Sequence, residues 1–244
     1  MSRRLVAVLL LFLVARTALG AQVYELNDKF LDLHRRPNSQ WLVKFYAPWC
    51  HFCKQLEPVY EQVAQQLASQ ASPVVVGRLD CTRWTSAAKE FPVRGFPTIL
   101  FIDGDLVIEY DGERSKEEIV EFATRLSGPL IRSLPDCQQV DPLLDQRPVY
   151  FLHVGHHIPS NFSRAASKYR SICWFYYLNA TSCPTLEAGT HVIKGTRDKR
   201  LSSRFHETTG NLSLNSWIRR EMFPVFVKVT PTAMSRIMRS GEFW

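Results

Sequence analysis

The sequence has no second Cys-x-x-Cys, no closing Lys-Asp-Glu-Leu signal, no long apolar run beyond its first twenty residues and only 11 glycines in 244 residues. Each absence excludes something. So little glycine excludes a collagen-like chain, and 45% hydrophobic with 22% charged residues excludes wholesale disorder. A membrane-spanning helix needs about 20 apolar residues, so none is expected after the N-terminal segment. A four-ligand zinc site would lack half its ligands. Acidic residues are outnumbered, 23 against 30 basic ones, for a net charge of +7. The one long basic stretch, residues 194–204 (KGTRDKRLSSR), carries none of the interleaved aromatics on which bases stack. It reads as a solvated loop, and nucleic acid is not an expected partner.

What is present begins with an address. Arg3 and Arg4 precede an eleven-residue apolar stretch, and Ala18-Leu19-Gly20 supplies the small residues of a cleavage site, so residues 1–20 read as a secretory signal peptide. Eleven residues would span only about 16 Å as a helix, half a bilayer core. The six cysteines (Cys50, Cys53, Cys81, Cys137, Cys173, Cys183) would then meet an oxidising compartment. Three Asn-x-Ser/Thr sequons, at Asn161, Asn179 and Asn211, are expected glycosylation sites on the same route.

Residues 21–130 alternate strands and helices in the order βαβαβαββα. Residues 41–46 (WLVKFY) and 73–79 (PVVVGRL) are apolar enough for strands of a sheet covered on both faces. The helix from Cys50 to about Ala68 sets Leu56, Val59, Tyr60, Val63 and Leu67 on one face, although Pro58 interrupts it. Residues 98–102 and 106–110 form a hairpin around Asp103-Gly104, and Ser115 with Glu118 opens the last helix. Residues 131–148, rich in proline and polar side chains, read as a linker. Residues 149–222 repeat the order more faintly, and 223–244 look like the start of a third unit.

The chemistry lies in Pro48-Trp49-Cys50-His51-Phe52-Cys53-Lys54, between a buried strand and a helix. A helix N-terminus offers unpaired N–H groups and about half a positive charge, which stabilises a thiolate. The two-residue spacing puts both sulfurs on the first turn, where they can bond to each other. Cys50, at the mouth, can attack a disulfide, and Cys53 can resolve the mixed disulfide that results. A structural disulfide is the alternative reading of the same spacing, but the strand–motif–helix context is what redox chemistry needs.

The segments WLVKFYAPWCHFC (41–53), LDCT (79–82), VRGFPT (93–98) and GERS (112–115) resemble the catalytic domain of the protein disulfide isomerase family. CKQLEP, the stretch from Lys116 to Arg132 and SWIRREMF (216–223) strengthen the resemblance to a membrane-anchored branch of it. It implies an α/β thioredoxin fold, a mixed sheet with helices on both faces, as a catalytic unit followed by a redox-inactive thioredoxin-like unit. It implies an enzyme of the endoplasmic reticulum lumen that forms, reduces or rearranges disulfides and needs no cofactor. Its partners would be unfolded or misfolded secretory proteins bearing thiols or disulfides, and other redox proteins that recycle it. Residue by residue, Cys50 matches the nucleophile, Cys53 the resolving thiol, and Pro97 a cis proline facing both sulfurs. Arg114 matches a mobile arginine, although alone it reads as a surface side chain at a turn.

Two departures touch the chemistry. The pair between the cysteines is His51-Phe52, where the family has Gly-His. Lys44 stands where the family has a strand carboxylate that shuttles a proton to the resolving cysteine. Strand alternation puts Lys44 on the face of Leu42 and Tyr46, under the active-site helix. There it would hold Cys53 as a thiolate, act as a neutral base, or snorkel to water. Lys44→Glu would on this reading speed resolution. The departures leave room for a second function, a chaperone-like module that binds clients with weakened catalysis, and a secreted structural protein is a third. Turnover of a small disulfide substrate separates the first two, and retention in the secretory pathway separates the third. Cys81 reads as a buried thiol, Cys173 and Cys183 as candidates for a bridge, and Cys137 stays unassigned. His153, His156 and His157 near a strand end read as a solvated loop, and no metal is expected.

Overall fold

The structure is a computed structural model that describes residues 22–147, 149–195, 200–205, 213–223, 234 and 238. The signal peptide expected at 1–20, the Asn211 sequon and nearly all of the expected third unit lie outside the described residues. The chain divides into two compact units between Ser127 and Gly128.

The first unit runs β1 (Tyr24–Leu26), α1 (Phe30–Leu33), β2 (Gln40–Tyr46), α2 (His51–Ser69), β3 (Val75–Asp80), α3 (Thr85–Lys89), β4 (Thr98–Asp103), β5 (Leu106–Glu109) and α4 (Lys116–Ser127). Its sheet order is β1-β3-β2-β4-β5. The first three strands are parallel, β4 runs antiparallel to them, and β5 runs antiparallel to β4 and so back in the direction of the first three. β2 is central, and residues 41–45 are all buried, as a strand covered on both faces requires. Alternation sends Leu42 to the layer of α2 and α4, with Leu56, Tyr60, Val63, Ile119 and Phe122. Trp41, Val43 and Phe45 go to the other face, with Phe30, Ala87 and Phe91. Truncating the fully buried Phe45 to Ala is expected to cost about 3–5 kcal/mol. The Tyr60 hydroxyl ties α2 to the sheet by donating to the carbonyls of Leu42 (2.8 Å) and Gly77 (3.1 Å). Pro58 lies within α2. Ser115 Oγ accepts the Glu118 N–H at 3.4 Å, the backbone half of the expected cap.

The second unit runs β6 (Arg132–Leu134), a 3₁₀ turn (Cys137–Gln139), α5 (Leu143–Gln146), β7 (Val149–Gly155), α6 (Ser160–Tyr169), β8 (Trp174–Asn179), a 3₁₀ turn (Ala180–Ser182), β9 (Gly189–Gly195), β10 (Arg200–Arg204) and α7 (Leu214–Glu221). Its order, β6-β8-β7-β9-β10, repeats the connectivity and strand directions of the first sheet.

Three expectations are corrected here. Residues 131–148 are not a linker. β6 pairs parallel with β8 and opens the second unit, in the place that β1 holds in the first. Arg132 and Arg147 lie against the Trp174 indole at 4.4 and 4.1 Å, cation–π contacts that help anchor this segment. The basic stretch 194–204 is not a loop throughout, because β10 pairs antiparallel with β9. β10 is an edge strand, and edge strands tolerate charged side chains, so it shows no apolar alternation. The bridge of the second unit is Cys137–Cys183, with Cα atoms 5.1 Å apart, while Cys173 is buried in the core beside Phe151 and Phe175. Among the described residues no helix is long and apolar enough to cross a membrane.

Candidate active site

Central strand β2 ends at Tyr46 and delivers Ala47-Pro48-Trp49-Cys50 to the start of α2. Cys50 is the N-cap residue. Its backbone is extended, and its Sγ accepts the Cys53 N–H at 3.2 Å. The N–H groups of a first helical turn have no partner within the helix, so a sulfur is an acceptor for one of them. The same bond, with the helix dipole behind it, would stabilise Cys50 as a thiolate. Cys50 and Cys53 are joined as a disulfide with Cα atoms 5.2 Å apart.

The disulfide is less open than the sequence suggests. Cys50 is 7% exposed and Cys53 2%. Both pack with Ala47, Tyr46 and Phe96. The rim is aromatic: Trp49 is 73% exposed and Phe52 61%. Trp49 meets Phe96 edge-on at 6.1 Å, and His51 meets Phe52 at 5.9 Å.

The Phe96-Pro97 bond is cis. Phe96 lies against the two cysteines, so Pro97 enters the site through its neighbour. Arg114 Nη2 donates to the Pro97 carbonyl at 3.4 Å. The structure thus packs Phe96 on Cys50 and Cys53 and links Arg114 to Pro97, the residue that follows Phe96.

Lys44 lies one layer below. It is fully buried and does not reach water. Its ammonium forms an ion pair with Glu57 of α2 and sits over the rings of Tyr60 (5.0 Å) and Tyr46 (5.7 Å). Burial first, then the charge of Arg78, pulls its pKa down from 10.5 to about 8. Glu57 also pairs with Arg78, which pairs in turn with Glu25. Burial raises the pKa of Tyr60 well above the usual phenol value. The sequence reading missed Glu57. The signal was its position one turn after Cys53, on the helix that covers Lys44. A cavity of about 210 Å³ is lined by Tyr46, Ala47, Pro48, Cys53, Lys54 and Glu57.

Cys81 takes no part. It is a buried thiol whose pKa burial pushes up to about 11. In the second unit, β7 leads to His156, His157 and Pro159 where the first unit has its cysteines. Phe96-Pro97 is the one cis bond among the described residues. His153 is on strand β7 rather than in a loop. Its Nδ1 contacts Thr190 Oγ1 at 3.0 Å, and burial, then His157 and His191, lowers its pKa. Among the described residues no three His, Cys, Asp or Glu side chains converge to hold a metal. Asn161 lies in the first turn of α6. Asn179 ends β8, and its Oδ1 accepts from the N–H (3.0 Å) and hydroxyl (2.8 Å) of Thr181 within the sequon.

Comparison with known proteins agrees with this geometry. Residues 22–125 match the thioredoxin family. The chain is 36% identical over 232 residues to protein disulfide-isomerase TMX3 of Xenopus laevis, covering 94% of this chain and 51% of that protein. It is 39% identical to the Mus musculus protein of the same name, covering 90% and 48%. Among solved structures it is similar to human ERp44 form I, with 21% identity, TM-score 0.46, and coverage of 91% of this chain and 62% of that one. The chain spans about half the length of the TMX3 relatives. The chain is thus similar to protein disulfide-isomerases over 90% or more of its own length, and its residues 22–125 match the thioredoxin family.

Proposed function

We propose that this chain catalyses thiol–disulfide exchange in client proteins of the secretory pathway, in the lumen of the endoplasmic reticulum. Cys50 attacks a client disulfide and Cys53 resolves the mixed disulfide, with the reverse sequence delivering a disulfide to a client dithiol. Pro97 and Arg114 border the reacting sulfurs. The clients are unfolded or misfolded chains bearing thiols or disulfides, and other redox proteins recycle the Cys50–Cys53 pair. The second unit serves as a spacer or docking surface and carries glycans at Asn161, Asn179 and Asn211.

The observation that carries this reading is the N-cap bond from the Cys53 N–H to Cys50 Sγ. A purely structural disulfide has no need of a helix N-terminus aimed at one sulfur, whereas a nucleophilic thiolate does.

The test is a cysteine series. Cys50→Ser is expected to abolish exchange with a small disulfide substrate, and Cys53→Ser to accumulate mixed disulfides at Cys50. After mild reduction, alkylation at slightly acidic pH is expected on Cys50. Labelling of Cys81 instead would move the site, and binding of unfolded chains without turnover would favour the chaperone-like function. The potential of the pair then gives direction: about −180 mV for an isomerase or oxidase, about −270 mV for a reductase.

A further inference from the structure

We propose that Glu57 accepts the proton of the Cys53 thiol, and that Lys44 and Arg78 are positioning residues that hold its carboxylate. The proposal rests on the exchange reaction above. Cys53 must become a thiolate to attack, yet at 2% exposure it has almost no contact with water. A thiol in apolar surroundings resists ionisation unless a base is near. Glu57 follows Cys53 by four residues on α2, a spacing that makes side chains neighbours.

Both residues line the same cavity, and Glu57 is the one carboxylate among the residues that line it. Its volume of about 210 Å³ far exceeds the roughly 10–15 Å³ that one water requires, so water can carry the proton between them. The Glu57 side chain is 33% exposed, which lets the proton leave afterwards. Lys44 cannot take this part while it is an ammonium, and the strand beneath Cys53 offers no carboxylate in its place. The charge order is therefore cation on the strand and carboxylate on the helix.

The charged and titratable groups around Glu57 come from three strands and its own helix. β2 contributes Lys44 and Tyr46, β3 contributes Arg78 and Asp80, β1 contributes Glu25 through Arg78, and α2 contributes Lys54 and Glu61.

In the step itself, the S–H bond of Cys53 breaks and its proton passes to the Glu57 carboxylate. The Cys53 thiolate attacks Cys50 Sγ, the Cys50–Cys53 bond forms, and the bond from Cys50 to the client sulfur breaks. The client leaves as a thiolate that takes up a proton. The enzyme dithiol is oxidised and the client disulfide reduced.

The experiment follows resolution of a glutathione mixed disulfide at Cys50 in the full chain, by stopped flow, across about pH 5–9. Glu57→Gln is expected to slow resolution at pH 7 on the order of a hundredfold. Its rate should then climb tenfold per pH unit, because hydroxide must replace the lost base. The double variant Lys44→Met/Glu57→Gln, which leaves no unpaired lysine and guards against misfolding, is expected to be equally slow with the same slope. A wild-type rate in the double variant would mean that Glu57 only neutralises Lys44, and would overturn the proposal. An unchanged pH profile in Glu57→Gln would overturn it as well. If the wild-type chain forms no mixed disulfide at all, the exchange reading fails, a result distinct from either of these.

Discussion

Lys44 on β2 and Arg78 on β3 occupy paired positions in the parallel register, so two cationic side chains stand side by side beneath α2. Glu57 answers both from the helix above. Lys44 is fully buried, and a buried ammonium without a partner would cost several kcal/mol. Its neighbours therefore decide whether the chain folds as well as how the proton moves. The arrangement also changes what substitutions here should do.

Lys44→Glu is expected to destabilise the first unit, contrary to the gain in resolution rate read from the sequence. The new carboxylate would face Glu57 in the same buried layer. Loss of the ion pair and the added repulsion are expected to lower unfolding free energy by roughly 3 kcal/mol, measured by urea denaturation. Stability equal to wild type would mean that Glu57 is free to turn away from this layer.

The depressed pKa of Lys44 makes a signed prediction for pH. Below about pH 8 the lysine is protonated in both folded and unfolded states, and the full desolvation penalty is present. Between about pH 8 and 10.5 the unfolded chain holds a proton that the folded chain has released, so stability rises with pH. Wild type should gain on Lys44→Met across that window when both are unfolded in urea at each pH. A constant difference would show that Lys44 titrates normally.

Removing the second unit's disulfide with Cys137→Ala/Cys183→Ala should cost about 2–4 kcal/mol, since the bridge closes a separation of 46 residues. The loss should appear in the thermal unfolding of the second unit, with exchange at Cys50–Cys53 retained. Loss of both together would show that the two units unfold as one.

A fragment of residues 22–127 contains the whole first sheet and both cysteines of the site. It should keep exchange activity toward short peptides and lose part of it toward large unfolded clients. Equal loss toward both would mean that the second unit supports the catalytic fold rather than docking clients.

Much of the first unit was legible because its signals are local. The apolar run at 41–46 and the helical spacing of Leu56, Tyr60, Val63 and Leu67 each follow from backbone geometry, as does the position of Cys50 at a helix start. The face that Lys44 takes was legible too, because strand alternation alone puts it with Leu42, whereas its complete burial there, away from water, was not. Glu57 was not. A glutamate beside Pro58 on the rim of an amphipathic helix reads as solvated, and only the packing of α2 across β2 and β3 turns it onto two cations.

The same division runs through the whole chain. Sequence by itself determined the identity and order of the main elements and the Cys50–Cys53 site, since these depend on side-chain periods and on spacing within one turn. Tertiary structure alone decided that the three residues Arg132 to Leu134, two of them polar, are a strand, because an edge strand is held by backbone hydrogen bonds that no side-chain pattern announces. It also decided that Cys183 pairs with Cys137 rather than Cys173. Disulfide partners must bring their Cα atoms to within about 7 Å, a distance set by how β6 and β8 pair and not by separation along the chain.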